Sequence, residues 1–137
     1  MVETNLEVLL REMCPELHRG EWVFCTDDLP GALATFREKE ATTSIIERQR
    51  AEALGIPCSY VAAWITLTVH SDLDAVGLLA AVTGALAAEG ISCNVVSAFH
   101  HDHLFVPAGR AADAMRILER LSCSTSKSTP RTSGSAS

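Results

Sequence analysis

The segment His70-Ser71-Asp72-Leu73-Asp74-Ala75-Val76-Gly77 sets an imidazole, a hydroxyl and two carboxylates just ahead of an apolar run, a composition suited to holding a small zwitterion. At a helix N-terminus several backbone amides lack an intrahelical partner and carry partial positive charge, so an α-carboxylate can rest on them. Asp72 and Asp74 would accept from an α-amino group, and Asn94, on the strand that follows, offers both a donor and an acceptor. Ser71, Asp72 and Asp74 are equally ordinary helix-capping residues, and capping alone would account for them.

A second concentration of ligating groups is His100-His101-Asp102-His103. On an extended backbone His101 and His103 project to one side and Asp102 to the other, so two imidazoles share a side. A zinc site takes three or four ligands, and nothing at suitable spacing completes this one unless His70 or a second subunit contributes. The cluster therefore reads as a polar turn or pocket lining, with a small metal-dependent enzyme as an alternative. The five cysteines, Cys14, Cys25, Cys58, Cys93 and Cys123, are odd in number and form no CxxC pair, which fits reduced thiols. Cys25 and Cys93 fall within apolar strand patterns, where a thiol packs as a small hydrophobe. There is no GxSxG elbow, P-loop, GxGxxG after a strand, or HExxH. No catalytic residue, metal or cofactor is expected, and the chain is not read as an enzyme.

The elements that must position these groups are legible from periodicity. Ile65, Leu67 and Val69 alternate with threonines and share one face of a strand. A helix from about Ala75 to Glu89, ended by Gly90, carries Val76, Leu79, Thr83 and Leu86 as its apolar face. A strand from Ile91 to Phe99 puts Ile91, Cys93, Val95 and Phe99 on one face and Ser92 and Asn94 on the other. The turn at His100-His101-Asp102 leads into a short strand His103 to Val106. A closing helix then presents Ala111, Ala114, Met115, Leu118 and Leu121. In the N-terminal half, Leu6, Leu9, Leu10 and Met13 make a helical stripe, and Glu21 to Thr26 is a strand. Ala32 to Arg37 and Thr42 to Glu47 form a hairpin around Lys39-Glu40, and Arg48 to Leu54 is a helix ended by Gly55. Trp22 and Trp64 are expected to pack against helices, with the alternative that Trp64, at the head of its strand, covers a pocket. Ser59 to Val69 is long enough to serve as the last strand of one half and the first of the next.

The stretch Ile65-Thr66-Leu67-Thr68-Val69, then Gly77, then Gly90-Ile91-Ser92-Cys93-Asn94-Val95-Val96-Ser97, resembles the ACT domain. Together with Pro15-Glu16-Leu17, Glu21 to Cys25, Ala34 to Glu38 and His100 to Pro107, it is similar to a family of short tandem-ACT proteins over roughly Leu6 to Leu121. The resemblance implies an α+β fold: two ferredoxin-like βαββαβ halves, with antiparallel sheets and helices on one face. The halves would span residues 1–60 and 61–121, each incomplete by itself, with uncovered sheet edges satisfied within the chain or in a dimer. It implies a non-catalytic regulatory protein that senses a free amino acid, distantly similar to the regulatory domains of aspartate kinases and to an animal arginine sensor. The effector pocket it implies comprises His70, Ser71, Asp72, Asp74, Val76 and Gly77 from the loop, with Cys93, Asn94 and Val95 from the facing strand. A homodimer and a regulated protein partner would carry the output. A structural interaction module whose pocket has been lost is the alternative from a different class.

The 137 residues carry 17 acidic and 11 basic side chains, a formal charge of -6, and the cations are scattered, which argues against nucleic acid as a partner. Met1-Val2-Glu3-Thr4 lacks the pattern of a secretory signal. The most apolar window, Ala75 to Ala88, is too short and too glycine-interrupted for a bilayer span, so no membrane and a cytoplasmic location are expected. Residues 122–137, rich in serine and threonine, are expected to be a disordered tail.

Overall fold

The computed structural model describes residues 5–71 and 73–128, with side chains through residue 123. Helix α1 (Leu6–Arg11) is opened by Asn5, whose side chain accepts from the Val8 amide at 3.2 Å. Strands β1 (Pro15–Leu17), β2 (Trp22–Cys25), β3 (Ala34–Arg37) and β4 (Thr42–Glu47) follow, then helix α2 (Arg48–Ala53) and the long strand β5 (Val61–Leu67). The remainder is α3 (Leu78–Ala88), β6 (Asn94–Ser97), β7 (Asp102–Pro107), a 3₁₀ turn at Ala108–Arg110, and α4 (Ala111–Ser128).

All strands join one seven-stranded sheet in the order β3-β4-β2-β5-β7-β6, with β1 also paired to β5. Along one edge of β5, Ala62 to Leu67 pair with β7. Its other edge is divided: Val61 and Ala62 pair with β2, and Ile65 to Leu67 pair with β1, every pairing being antiparallel. The last strand that a βαββαβ unit needs after α4 is delivered from the start of the chain, so that β5, α3, β6, β7 and α4 are completed by β1. The first half runs β2, β3, β4, α2 and ends on the head of β5, with a loop in place of a helix between β2 and β3. Ser44, fully buried on β4, pins that loop: its hydroxyl donates to the Asp27 carbonyl and accepts from the Leu29 amide.

Strand alternation sorts the sheet into two faces. Ala63, Ile65 and Leu67 of β5 and Leu104 and Val106 of β7 bury against Leu9, Leu10 and Met13 and against α3 and α4. Val23, Cys25 and Ile46 bury against Ala51 of α2. The opposite face carries Ile45, Ala62 and Phe105 with Trp22, Phe24, Ala34, Tyr60, Trp64 and Val96. The two tryptophans thus pack on the helix-free face, edge to face with each other at 5.2 Å, rather than against helices. Their positions on β2 and β5 share the parity of Phe24 and Ala62, so no helix can reach them.

Other boundaries shift for local reasons. The third helix begins at Leu78, not near Ala75, because Gly77 adopts φ +100 and interrupts the helical backbone. Its buried stripe is Leu78, Val82 and Leu86, while Val76 precedes the helix and is 83% exposed. Phe99 is likewise 73% exposed, since β6 ends at Ser97 and the chain turns away from the core. The closing helix continues through Ser128, past the expected boundary at Leu121, and Ser122 Oγ donates to the Arg11 carbonyl at 2.9 Å to hold this extension against α1. Residues 129–137 of the expected tail lie outside the described ones.

Ile65 is fully buried where β5 meets β1, β7 and the helical layer. Ile65→Ala is expected to lower unfolding stability by about 2–5 kcal/mol, the usual cost of emptying a packed core site, measured by urea denaturation.

Candidate functional site

A small cavity of about 120 Å³ lies where the N-terminus of α3 meets the ends of β6 and β7. Its rim is Ser71, Leu73 and Ala75 from the loop; its walls are Gly77 to Ala80 on one side and Ser97, Ala98 and Asp102 on the other. Gly77 is the N-cap of α3 and no side chain caps the helix there. The Ala81 amide is satisfied by the Gly77 carbonyl at 2.9 Å, and the amides of Leu78, Leu79 and Ala80, the first turn of an eleven-residue helix, have no intrahelical partner and meet no side-chain acceptor among the described residues. Glycine is required at this position: a Cβ would come within 3.2 Å of Leu6 Cδ2, and the backbone is left-handed.

Asp102 supplies the opposite charge. It begins β7 across from Leu67 and Ser97 and shares the parity of Leu104 and Val106, so it turns to the helix face and is only 9% exposed. The cavity thus sets partial positive charge from helix amides across from a carboxylate, the arrangement that a zwitterion matches. Asp102 is the site residue that reading the motif as a turn missed. The signal was present in the alternation Asp102-Leu104-Val106, which carries Asp102 onto the core face.

The residues expected at the site divide. Ser71 and Gly77 line the cavity. Asp74 lies in the preceding turn and Val76 faces solvent, and neither is among the lining residues. Asp72 lies outside the described residues. His70 packs instead beside His100 and His101, with ring centroids 5.5 and 6.2 Å away. Cys93 and Val95 pack partly against the main core. Burial pushes the Cys93 thiol up to about 11, so it stays protonated near neutral pH and is a poor nucleophile. Asn94 pairs across from Phe105 and therefore sits on the helix-free face, where its amide approaches the Tyr60 hydroxyl at 3.5 Å.

The histidine run is split as well. His101 Nδ1 lies 3.4 Å from the Val69 carbonyl, whereas His103 enters a network on the helix-free face. There Trp64 Nε1 donates to His103 Nδ1 at 3.1 Å, and Thr66 Oγ1 lies 2.9 Å from the same nitrogen and 2.7 Å from His18 Nε2. His18 also stacks on Trp64 at 3.5 Å. Burial holds His103 below the ordinary histidine value, with His101 and His18 pushing the same way and Asp102 opposing them. Among the described residues no three His, Cys, Asp or Glu side chains are placed to hold a metal ion. Nor is any helix among them long and apolar enough to cross a membrane.

Comparison with known proteins gives two family matches in tandem, both to the ACT domain, over residues 2–63 and 59–120. A crystal structure from Vibrio cholerae, of a protein of unknown function described as a possible transport protein, is 44% identical. It covers 82% of this chain and 92% of that one, with a TM-score of 0.74. A protein from Agrobacterium tumefaciens is 20% identical over 79% of this chain and 87% of that one, TM-score 0.57. The alpha and beta subunits of an aspartokinase share the fold at 12% identity, with 78% and 95% of the two chains covered and a TM-score of 0.54. No curated protein matches.

Two outcomes follow from this geometry. Gly77→Ala forces a side chain into left-handed backbone against Leu6, and is expected to cost about 1–3 kcal/mol in chemical denaturation. For His103, the lowered folded-state value means that the unfolded chain, titrating near ~6.5, binds the proton more readily. Its contribution to stability is present above the unfolded value and is lost as pH falls through the folded one. Urea midpoints measured from pH 7.5 down to 5 should decline, and less steeply in His103→Gln.

Proposed function

The chain belongs to the ACT domain family, and from that premise we propose that it is a non-catalytic regulatory module that binds a free α-amino acid at the N-terminus of α3. The observation that carries this reading is one cavity faced by both the Asp102 carboxylate and a helix start that no side chain among the described residues caps. The ligand's α-carboxylate accepts from the first-turn amides of α3, and its ammonium donates to Asp102. Recognition of both ends separates an amino acid from a simple carboxylate or amine. A volume of about 120 Å³ admits the head group and a short side chain. Leu73, exposed at the rim, offers apolar surface to a longer side chain or to a second subunit.

The ligand ties the start of α3 to β7 across the cavity, and that tie is the signal. It passes through a change in assembly, with a homodimer as the default, or to a regulated protein partner in the cytoplasm. On this reading the chain divides into an N-terminal half through residue 60 and a C-terminal half from 61 to 121, and the proposed site belongs to the second.

Thermal unfolding against each common L-amino acid at millimolar concentration tests the reading. A selective ligand at a hundredfold excess over Kd stabilises by about 2.7 kcal/mol, and Asp102→Asn is expected to abolish that shift. Silence across the panel, or a shift that survives in Asp102→Asn, would overturn it and favour an interaction module without a ligand.

A further inference from the structure

The helix-free face carries a second, chemically different hollow. Ala34 of β3 and Val96 of β6 belong to strands at opposite ends of the sheet order, yet both line one cavity of about 130 Å³, so the sheet curls until its two edges approach. Trp64, His103 and Phe105 form the inner wall, and Leu33 and Ala98 complete the mouth. Trp64 and Phe105 lie nearly parallel, 12° apart in plane with centroids at 6.4 Å.

The polar group of this wall has its proton position determined by its neighbours. An indole nitrogen only donates, so the Trp64 contact makes His103 Nδ1 an acceptor. Thr66 Oγ1, against the same unprotonated nitrogen, can only donate to it, sharing the one lone pair with the indole, and so accepts from His18 Nε2. The imidazole proton of His103 is left on Nε2, which donates to none of the described residues. The lowered protonation of His103 keeps the ring neutral at physiological pH. The hollow is therefore lined by apolar and aromatic side chains and by one imidazole that has an N–H to give and no ring nitrogen free to accept.

We propose that this hollow binds a small planar apolar molecule, about one aromatic ring in size, whose carboxylate or carbonyl oxygen accepts from His103 Nε2. The ring lies beside Trp64 and Phe105 in the offset geometry aromatic faces favour. A ligand of the same shape that carries only donors would leave both its own group and Nε2 unpaired, and is rejected for that reason. The site lies on the opposite face of the sheet from the α3 cavity and does not depend on it.

Phenylacetate, phenylacetamide and phenethylamine share one ring and differ in the polar group, and none absorbs at wavelengths that excite tryptophan selectively. Trp22 and Trp64, both in this cluster, are the two tryptophans of the chain, so their fluorescence reports the site. Titrations of the full chain are expected to saturate with the acid and the amide at similar concentrations, and to require at least tenfold more of the amine. Ala34→Phe, which fills the hollow, is expected to abolish both responses while retaining the wild-type circular dichroism. In parallel, nitrogen-15 NMR of the histidines should show His103 Nε2 protonated in the free protein and its resonance shifted by phenylacetate. That readout needs no variant. Titrations that never saturate, an equal response to the amine, an unmoved Nε2, or saturation unchanged in a folded Ala34→Phe would each overturn the proposal. So would sedimentation showing that a second copy of the chain covers this face.

Discussion

Strand β5 is the constraint on which the other elements depend. Seven residues satisfy three neighbours: β7 takes one edge almost end to end, and the other is shared between β2 at the head and β1 at the tail. Each partner's register follows from its pairing with β5, and a slip of one residue would move Ile65 and Leu67 from the helical layer to the aromatic face. Neither half closes its own sheet without this strand. The first half uses its head as a terminal strand; the second uses its length as a first strand and recruits β1 from the start of the chain. Thr68 extends the junction beyond β5, with its amide and hydroxyl bonding the Met13 and Cys14 carbonyls at 2.8 Å.

Because one strand governs both faces, the chemistry of the molecule is divided by residue parity. Odd positions of β5 and even positions of β7 build the helical core and bring Asp102 beneath the start of α3. The complementary positions gather Trp64, Thr66, His103 and Phe105 into an aromatic and hydrogen-bonded face. A single step along β7, from Asp102 to His103, separates a carboxylate facing a helix N-terminus from an imidazole facing an apolar hollow. The aromatic face also contains the Trp22 indole N–H, buried without an acceptor among the described residues, a state that costs about 1–3 kcal/mol relative to a satisfied donor. Its aromatic contacts offset that cost within the cluster.

Most element types were legible in the sequence because periodicity and turn residues report them directly: the hairpin from Ala34 to Glu47 and the stripe Ala114, Leu118, Leu121 are found where their patterns place them, whereas β1, at three residues too short to show a period, was not read as a strand. The family and the α+β fold were legible from the run around Ile65 to Ser97. Finer placement was not. Gly77 read as an interior glycine, but its positive φ makes it the cap, and that shift removes Val76 from the helix. Asn94 was already assigned by alternation to the side away from the core, and a loop that sits above the core cannot reach it. Asp102 was obscured by its neighbours, since a run of histidines and an aspartate has the composition of a turn. Pairing with Leu67 and Ser97, a long-range fact, makes it the first residue of a strand.

Native-state hydrogen exchange across β2, β5 and β7 tests the central role of β5 most directly. If both halves hang on this strand, the slowest amides of β2 and β4 and those of β5 and β7 open together, with one free energy equal to that of global unfolding and one dependence on denaturant. Exchange of β2 and β4 through a separate opening at distinctly lower free energy, with β5 and β7 still protected, would show that the first half folds and unfolds on its own and would contradict the account.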